Sequence, residues 1–149
     1  MVTQSKDGYI VRGDKKIHET FVVPSTKYIG VMYGLELEFF TVDKKTCAPR
    51  VMDISCLNPD YVKAELAGEQ IEVTTTPHES LRDIKEELLN RVREVVREAG
   101  KQDIALLPVP LLEQGLTIRD SPRYNLLVQE LGKPFAAHAP RVASDQVNI

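Results

Sequence analysis

Two glutamates, Glu36 and Glu38, lie two residues apart in a segment that alternates apolar residues with polar or small ones. Side chains at this spacing on a β-strand point to the same side, about 6.6 Å apart along the strand. Two carboxylates about 7 Å apart repel by about 0.6 kcal/mol in water and by about 2.4 kcal/mol at an effective dielectric of 20. Joined by acids from another strand, such a pair favours a hard divalent cation, Mg²⁺ or Mn²⁺.

Glu72 is the candidate third acid. Ile71 and Val73 flank it in residues 70–76, a segment rich in β-branched residues that predicts a strand. Glu65, seven residues earlier, is a further candidate. If these strands are neighbours, the fold needs a cation or shifted pKa values. The simpler alternative is a solvated face of an antiparallel sheet, on which the charges have no chemical role.

Four other polar residues are weaker candidates. Arg123 and Arg141 could hold a phosphate or a carboxylate by paired hydrogen bonds if they faced the acids. The alternative for each is an ordinary surface cation with no ligand. Gln146 and Asn148 share one side of a predicted strand, where they could contact a ligand or simply face solvent. No nucleophile is predicted, because neither Ser144 nor the cysteines have a base nearby in sequence.

An antiparallel sheet and one long helix must position these residues. Residues 27–42 show the strongest period-two pattern, and residues 50–54 are predicted as the return strand after a turn. Residues 104–109 predict a buried strand that its prolines confine to a sheet edge. Residues 141–149 alternate again. We therefore predict an α+β fold.

Apolar residues at spacings of three and four predict a helix over residues 77–99. The stripe consists of Leu81, Ile84, Leu88, Val92, Val95 and Ala99. A capping box over residues 76–79 marks its start, residues 80–83 offer a rival start, and Gly100 is the predicted stop. A second helix is predicted over residues 123–131, ending at Gly132, before a loop bounded by Pro134 and Pro140.

Composition excludes several classes of protein. The chain has 149 residues, of which 42% are hydrophobic and 28% charged, as in ordinary globular domains. A net charge of −3 offers no general attraction to nucleic acid, and no apolar run reaches the length of a membrane span. Two cysteines are read as reduced thiols of a cytoplasmic protein, and the three histidines lack zinc-ligand spacing.

The domain organisation is predicted in two parts. Residues 1–26 form an N-terminal extension or hairpin, with strands at residues 9–12 and 15–17. Residues 27–149 form the N-terminal half of a larger catalytic domain, apparently truncated at its C-terminus, because the pattern of the last strand is still running at Ile149. An unpaired edge over residues 142–149 would then invite self-association.

The order of the motifs resembles the glutamate–cysteine ligase family, which includes related carboxylate–amine ligases. The segment GLELEFFTVD at 34–43 is similar to the family's opening G-x-E-x-E strand. The segment ELAGEQIEVTTTP at 65–77 resembles its second acidic segment, and a long helix follows as expected. Arg123-Tyr124 resembles an R-Y pair, and ASDQVNI at 143–149 resembles an H/Q-x-N strand.

This resemblance implies a glutamine-synthetase-like fold, with an antiparallel sheet curved around the active site. It implies ATP-dependent ligation in glutathione biosynthesis: ATP phosphorylates the side-chain carboxylate of glutamate, and cysteine or another amine attacks the acyl phosphate. By carry-over, Glu36, Glu38 and Glu72 would hold Mg²⁺ or Mn²⁺, with Glu65 as a further ligand. Arg123 would contact substrate or phosphate, and Gln146 and Asn148 would lie near the nucleotide.

Two departures from the family pattern matter. Gln146 stands where some members have a metal-binding histidine. Family members are also substantially longer, and their second half supplies further ligands, so the chain alone is predicted not to catalyse ligation. Two other functions stay open at this point: a non-catalytic α+β module that binds a ligand or partner, and a structural oligomerisation domain.

Overall fold

In the computed structural model, residues 31–113 and 115–148 are described in full, together with the backbone of three N-terminal strands. The chain divides into two compact units, residues 1–30 and 31–149. The first contains β1 (Thr3–Gln4), β2 (Tyr9–Arg12) and β3 (Lys15–His18) in an antiparallel sheet of order β1-β2-β3. The predicted hairpin strands are therefore confirmed, and their turn lies outside the described residues. The assignment of residues 1–26 and 27–149 as domains stays a prediction.

The second unit is built around β4 (Gly34–Asp43), whose alternating side chains include the two glutamates. On one edge, β4 pairs with β6 (Gln70–Thr74), which pairs in turn with β5 (Val62–Ala64). Two strands share the other edge of β4: β7 (Ile104–Leu107) and β8 (Asp145–Asn148). Every pairing is antiparallel, and with its helices the unit has the predicted α+β class.

One face of this sheet packs against α1 (Leu81–Lys101) to form the hydrophobic core. The helix contacts β4, β6 and β7. The residues buried there are Phe39, Met52, Leu57, Val62, Ile71, Val73, Val95, Ala99 and Ile104. The predicted apolar stripe of α1 is buried through Ile84, Val95 and Ala99, but Leu81 is 71% exposed. The core thus leaves the opposite face of β4 and β6 to the glutamates.

The predicted helix start at residues 76–79 is wrong, and the rival start is correct. The hydroxyl of Ser80 accepts a hydrogen bond from the backbone N–H of Asp83, so it caps α1. A helix cannot begin after Thr76, because the backbone N–H and carbonyl of His78 pair with Tyr33 in an isolated antiparallel bridge. The predicted stop at Gly100 is also wrong, since the helix continues to Lys101 and Gln102 caps it.

Two strand predictions need correction. The strand predicted over residues 27–42 begins at Gly34 in the described part of the chain, and Tyr33 makes only an isolated bridge. Residues 50–54 form no return strand. The N–H of Thr41 donates to the carbonyl of Glu69, so the chain leading into β6 already occupies this edge of β4. What remains is one bridge between Val42 and Pro49.

The second helix, α2 (Pro122–His138), begins after the N-cap Ser121 and breaks at Gly132, whose φ is 76°. The helix predicted over residues 123–131 is confirmed. It breaks at Gly132 because glycine tolerates a positive φ. The predicted loop after it is wrong, because helical turns resume and lead into a short 3₁₀ helix, Ala139–Arg141. The last strand is accordingly shorter than predicted. Among the described residues, no helix combines the length and apolar character needed to span a bilayer.

Arg91 joins α1 to the end of β6. Its guanidinium donates to the carbonyl of Thr74, pairs with Glu87 and lies 4.5 Å from the ring centroid of Tyr61. Only 16% of the Arg91 side chain is exposed. If Arg91 is removed, water therefore replaces it poorly as a hydrogen-bond donor to its partners. We call these contacts of Arg91 the Arg91 clamp. It links the packing of α1 to β6, the strand that carries Glu72.

We expect Arg91→Ala to lower the free energy of unfolding by about 2–3 kcal/mol, because a carbonyl and a carboxylate lose their partner. Urea denaturation with circular dichroism measures this change. Arg97→Ala is the matched control: that side chain is 66% exposed and makes only a surface ion pair, worth less than about 1 kcal/mol. If the free energy of unfolding fell equally in the two variants, the stabilising role of the Arg91 clamp would be contradicted.

Candidate metal centre

Strand register brings the predicted acids together. Glu38 lies directly opposite Glu72 in the β4–β6 pair, and both point away from the core. Glu65 follows β5, and its N–H donates to the carbonyl of Gln70, which continues the β5–β6 pairing. Oxygens of Glu38, Glu65 and Glu72 all lie within 4.8 Å of one another. We call these three residues the acidic triad.

Burial and crowding raise the proton affinity of one member of the acidic triad, Glu65. Burial, together with the charges of Glu72 and Glu38, raises the pKa of Glu65 to about 7. Glu72 is only 8% exposed, and its ion pair in the described structure is with Lys63, at 3.2 Å from Nζ. That lysine is 54% exposed, so solvent screens it. The ion pair that the described residues form with the triad is therefore a screened one.

Glu38 is held by three hydrogen bonds. The side-chain amide of Gln70 donates to Oε2 at 2.9 Å, as does the backbone N–H of Ser144 at 2.8 Å. The hydroxyl of Ser144 donates to Oε1 at 3.0 Å. These donors fix the orientation of the carboxylate.

Glu36 lies on the same face but outside the acidic triad. Its Oε1 accepts a hydrogen bond from Nδ2 of Asn148 at 2.6 Å, and it lies opposite Gln146 in the β4–β8 pair. Gln146 donates to the Ser144 hydroxyl at 3.1 Å. A cavity of about 450 Å³ adjoins Glu36, lined also by Met32, Gly34, Lys63, Thr74, Thr75, Pro77 and Asn148. Of the two predicted residues of β8, Asn148 thus lines this cavity with Glu36, and Gln146 does not.

Arg123 opens α2 on the side of the acidic triad. Its charge opposes the rise in the pKa of Glu65 that burial and the other acids cause. Its guanidinium carbon lies 5.7 Å from the ring centroid of Tyr124. Arg141, the other candidate arginine, instead lines a separate cavity beside α2 with Glu113 and Leu116. Of the two candidate arginines, Arg123 is therefore the one whose charge acts on the triad.

Sequence reasoning missed the residues that hold Glu65 in place. Arg119 donates from Nε to the carbonyl of Glu65 and from Nη2 to that of Gly68. The buried carboxylate of Glu69 accepts hydrogen bonds from the backbone N–H and hydroxyl of Thr117, both at 2.9 Å. A short antiparallel contact therefore fixes the loop before β6. No local pattern predicts it, because the partners lie about 50 residues apart in sequence.

Residues 32–149 match the model of glutamate-cysteine ligase family 2. This match covers well over half of the chain, including β4, β6 and the acidic triad. The chain belongs to glutamate-cysteine ligase family 2. The family resemblance predicted from the motif order is thus confirmed for this part of the chain. A search of curated proteins finds no match.

The fold of the family member is similar to part of a solved enzyme. A crystal structure of a bifunctional glutathione synthetase from Pasteurella multocida matches with a TM-score of 0.56 and 23% sequence identity. The match covers 78% of this chain but only 16% of the synthetase chain. At this identity, the similarity establishes a shared fold alone.

The acidic triad of the family member fits a divalent cation by its donors and spacing. Adjacent ligands of an octahedral Mg²⁺ held at about 2.1 Å lie about 3 Å apart, and opposite ligands about 4.2 Å. Small side-chain rotations bring oxygens that lie within 4.8 Å into that range. Carboxylate oxygens are the donors that Mg²⁺ and Mn²⁺ prefer. The negative charge of the carboxylates supplies the attraction.

Proposed function

We propose that residues 31–149 form the N-terminal part of the active site of an ATP-dependent carboxylate–amine ligase. The observation that carries the proposal is the convergence of Glu38, Glu65 and Glu72 on one face of the sheet. Family membership supports it, because the matched range, residues 32–149, includes the strands that carry the acids. A glutamine-synthetase-like curved sheet is the architecture that we propose for the complete domain.

Glu36, Glu38, Glu65 and Glu72 are the proposed ligands of Mg²⁺ or Mn²⁺. When bound, the cation would neutralise phosphate charge and orient ATP. The residues of the chain have separate roles around it. Glu38 enters the site already oriented by its donors, and Glu36 lies beside the cavity where a nucleotide or amino acid would fit. Arg123 would bind a phosphate or substrate carboxylate by paired hydrogen bonds.

The proposed reaction joins the side-chain carboxylate of glutamate to cysteine or another amine through an acyl phosphate. Phosphoryl transfer depends mostly on positioning and charge neutralisation, which is what clustered carboxylates with bound cations provide. Gln146 and Asn148 would contribute polar contacts near the nucleotide, next to Glu36. The cytosol, as a compartment of glutathione biosynthesis, is the proposed location.

Ligation is proposed for a protein longer than this chain, which spans about 16% of the synthetase that it matches. Within the described residues, β8 pairs only with β4, and Val147 is 62% exposed. Self-association through this edge strand therefore remains the proposed mode of contact with other chains.

Calorimetric titration with ATP in the presence of Mg²⁺ tests the proposal. We expect the wild-type chain to bind MgATP, and Glu36→Gln to weaken binding at least about tenfold because the cation loses an anionic ligand. The matched control is Glu130→Gln, which removes an exposed carboxylate of α2. Binding that is absent in the wild type, or equal in Glu36→Gln, would favour the non-catalytic module instead.

A further inference from the structure

The side chain of Gln70 is an unusual occupant of β6. It lies opposite Phe40 in the β4–β6 pair and is only 2% exposed. Its Nε2 donates to Oε2 of Glu38 and to the backbone carbonyl of Val142, both at 2.9 Å. A buried amide that satisfies its donors in this way connects the central strand to the chain that leads into β8.

Ser144 completes the same network from the other side of Glu38. Its N–H and hydroxyl reach different oxygens of the carboxylate, at 2.8 Å and 3.0 Å. The backbone N–H of Glu38 also donates to the carbonyl of Ser144 at 3.2 Å. Both oxygens of the carboxylate therefore accept hydrogen bonds from groups more than 30 residues away in sequence.

We propose that Gln70 and Ser144 are positioning residues that aim the Glu38 carboxylate at the other two acids of the triad, so that a divalent cation meets a preset ligand. This inference rests on the proposed function, because it presumes the metal site. The physical basis is that partners which fix the orientation of a ligating side chain typically change metal affinity by about 10–100-fold when removed.

A purely structural role for the network makes a different prediction. If Gln70 served only to attach the Val142 segment to the sheet, its loss would lower stability and leave the metal affinity of the folded chain unchanged. The Glu38 contact separates the two roles, since that carboxylate belongs to the acidic triad and the Val142 carbonyl does not.

The experiment is a titration of the full chain with Mn²⁺, in which electron paramagnetic resonance measures free Mn²⁺ well below the unfolding temperature. We expect Gln70→Leu to raise the Kd about 10–100-fold, and Ser144→Ala about tenfold. Ser144→Thr retains the hydroxyl and the N–H, so it should restore the wild-type Kd. Thermal unfolding of each variant reports stability in parallel.

Thr41→Val is the matched control for a buried hydrogen bond on β4. Thr41 is fully buried and donates from its hydroxyl to the carbonyl of Arg50 at 2.6 Å, away from the acids. This variant should lose stability and keep the wild-type Kd. Wild-type affinity in both Gln70→Leu and Ser144→Ala would overturn the inference alone. A wild-type chain without Mn²⁺ affinity would overturn the metal site itself, and the inference with it.

Discussion

Glu72→Gln will weaken Mn²⁺ binding by about 100-fold and, in the same protein, raise the unfolding temperature of the metal-free state. The first effect follows from the loss of one anionic ligand of the triad, since ligand charge sets the affinity of oxygen-donor sites. The second follows from crowding. At an effective dielectric of 20, two carboxylates 4.8 Å apart repel by about 3.5 kcal/mol.

The net stabilisation is smaller than this repulsion. Glu72→Gln also loses the ion pair with Lys63, worth less than about 1 kcal/mol at its exposure. Proton uptake by Glu65 also relieves part of the repulsion between the carboxylates. We expect a net gain of about 1–2 kcal/mol at pH 8, or about 3–6 °C in Tm.

Differential scanning calorimetry without metal, together with Mn²⁺ titration, measures both effects. Glu130→Gln, an exposed carboxylate on α2, should change neither quantity. A lower Tm together with unchanged Mn²⁺ affinity in Glu72→Gln would show that the carboxylate serves the fold rather than a cation.

Divalent-cation affinity should fall as the pH drops below about 7, by about tenfold per pH unit at the acidic end of the titration. Burial and two neighbouring carboxylates raise the pKa of Glu65 to about 7, so a proton competes with the cation for this carboxylate in the neutral range. Mn²⁺ titrations at pH 8, 7, 6 and 5 measure the effect. Glu65→Gln should bind more weakly at pH 8 and lose most of the dependence between pH 6 and 8.

The same group makes metal-free stability depend on pH. Because the pKa of Glu65 is raised in the folded state, the folded protein retains a proton that the unfolded chain releases near pH 4.5. The contribution of Glu65 is therefore most favourable below pH 4.5 and is lost as the pH rises to about 7. Carbon-13 NMR of the Glu65 carboxyl provides the direct check, and a midpoint near pH 4.5 would contradict the crowded triad.

The parts of the fold that could be predicted from the sequence are those with a local signal. Alternation in β4 places Glu36 and Glu38 on the face opposite the core. The apolar stripe of α1 is visible because it recurs within single helical turns. The start of α1 was ambiguous, since Thr76 and Ser80 are both good N-caps. The antiparallel bridge between His78 and Tyr33, which lies far from it in sequence, decides between them.

The composition of the candidate site depended on long-range contacts, which no short pattern encodes. Glu65, a further candidate on sequence alone, joins the triad because an antiparallel contact with residues 117–119 directs its loop. Glu36 was predicted with equal weight to Glu38 but lies outside the triad. Gln70 reads as an ordinary strand residue, and its importance appears only when Glu38 and Val142 are brought beside it.

The pairing of β8 with the central strand has a consequence for biosynthesis. Ser144 lies 106 residues after Glu38, so the contact cannot form until that whole interval has left the ribosome. At about 5–20 residues per second, its translation takes about 5–20 s. Until then Glu38 lacks the two hydrogen bonds that Ser144 donates to its carboxylate. A cation therefore meets the fully oriented Glu38 carboxylate only after Ser144 has emerged.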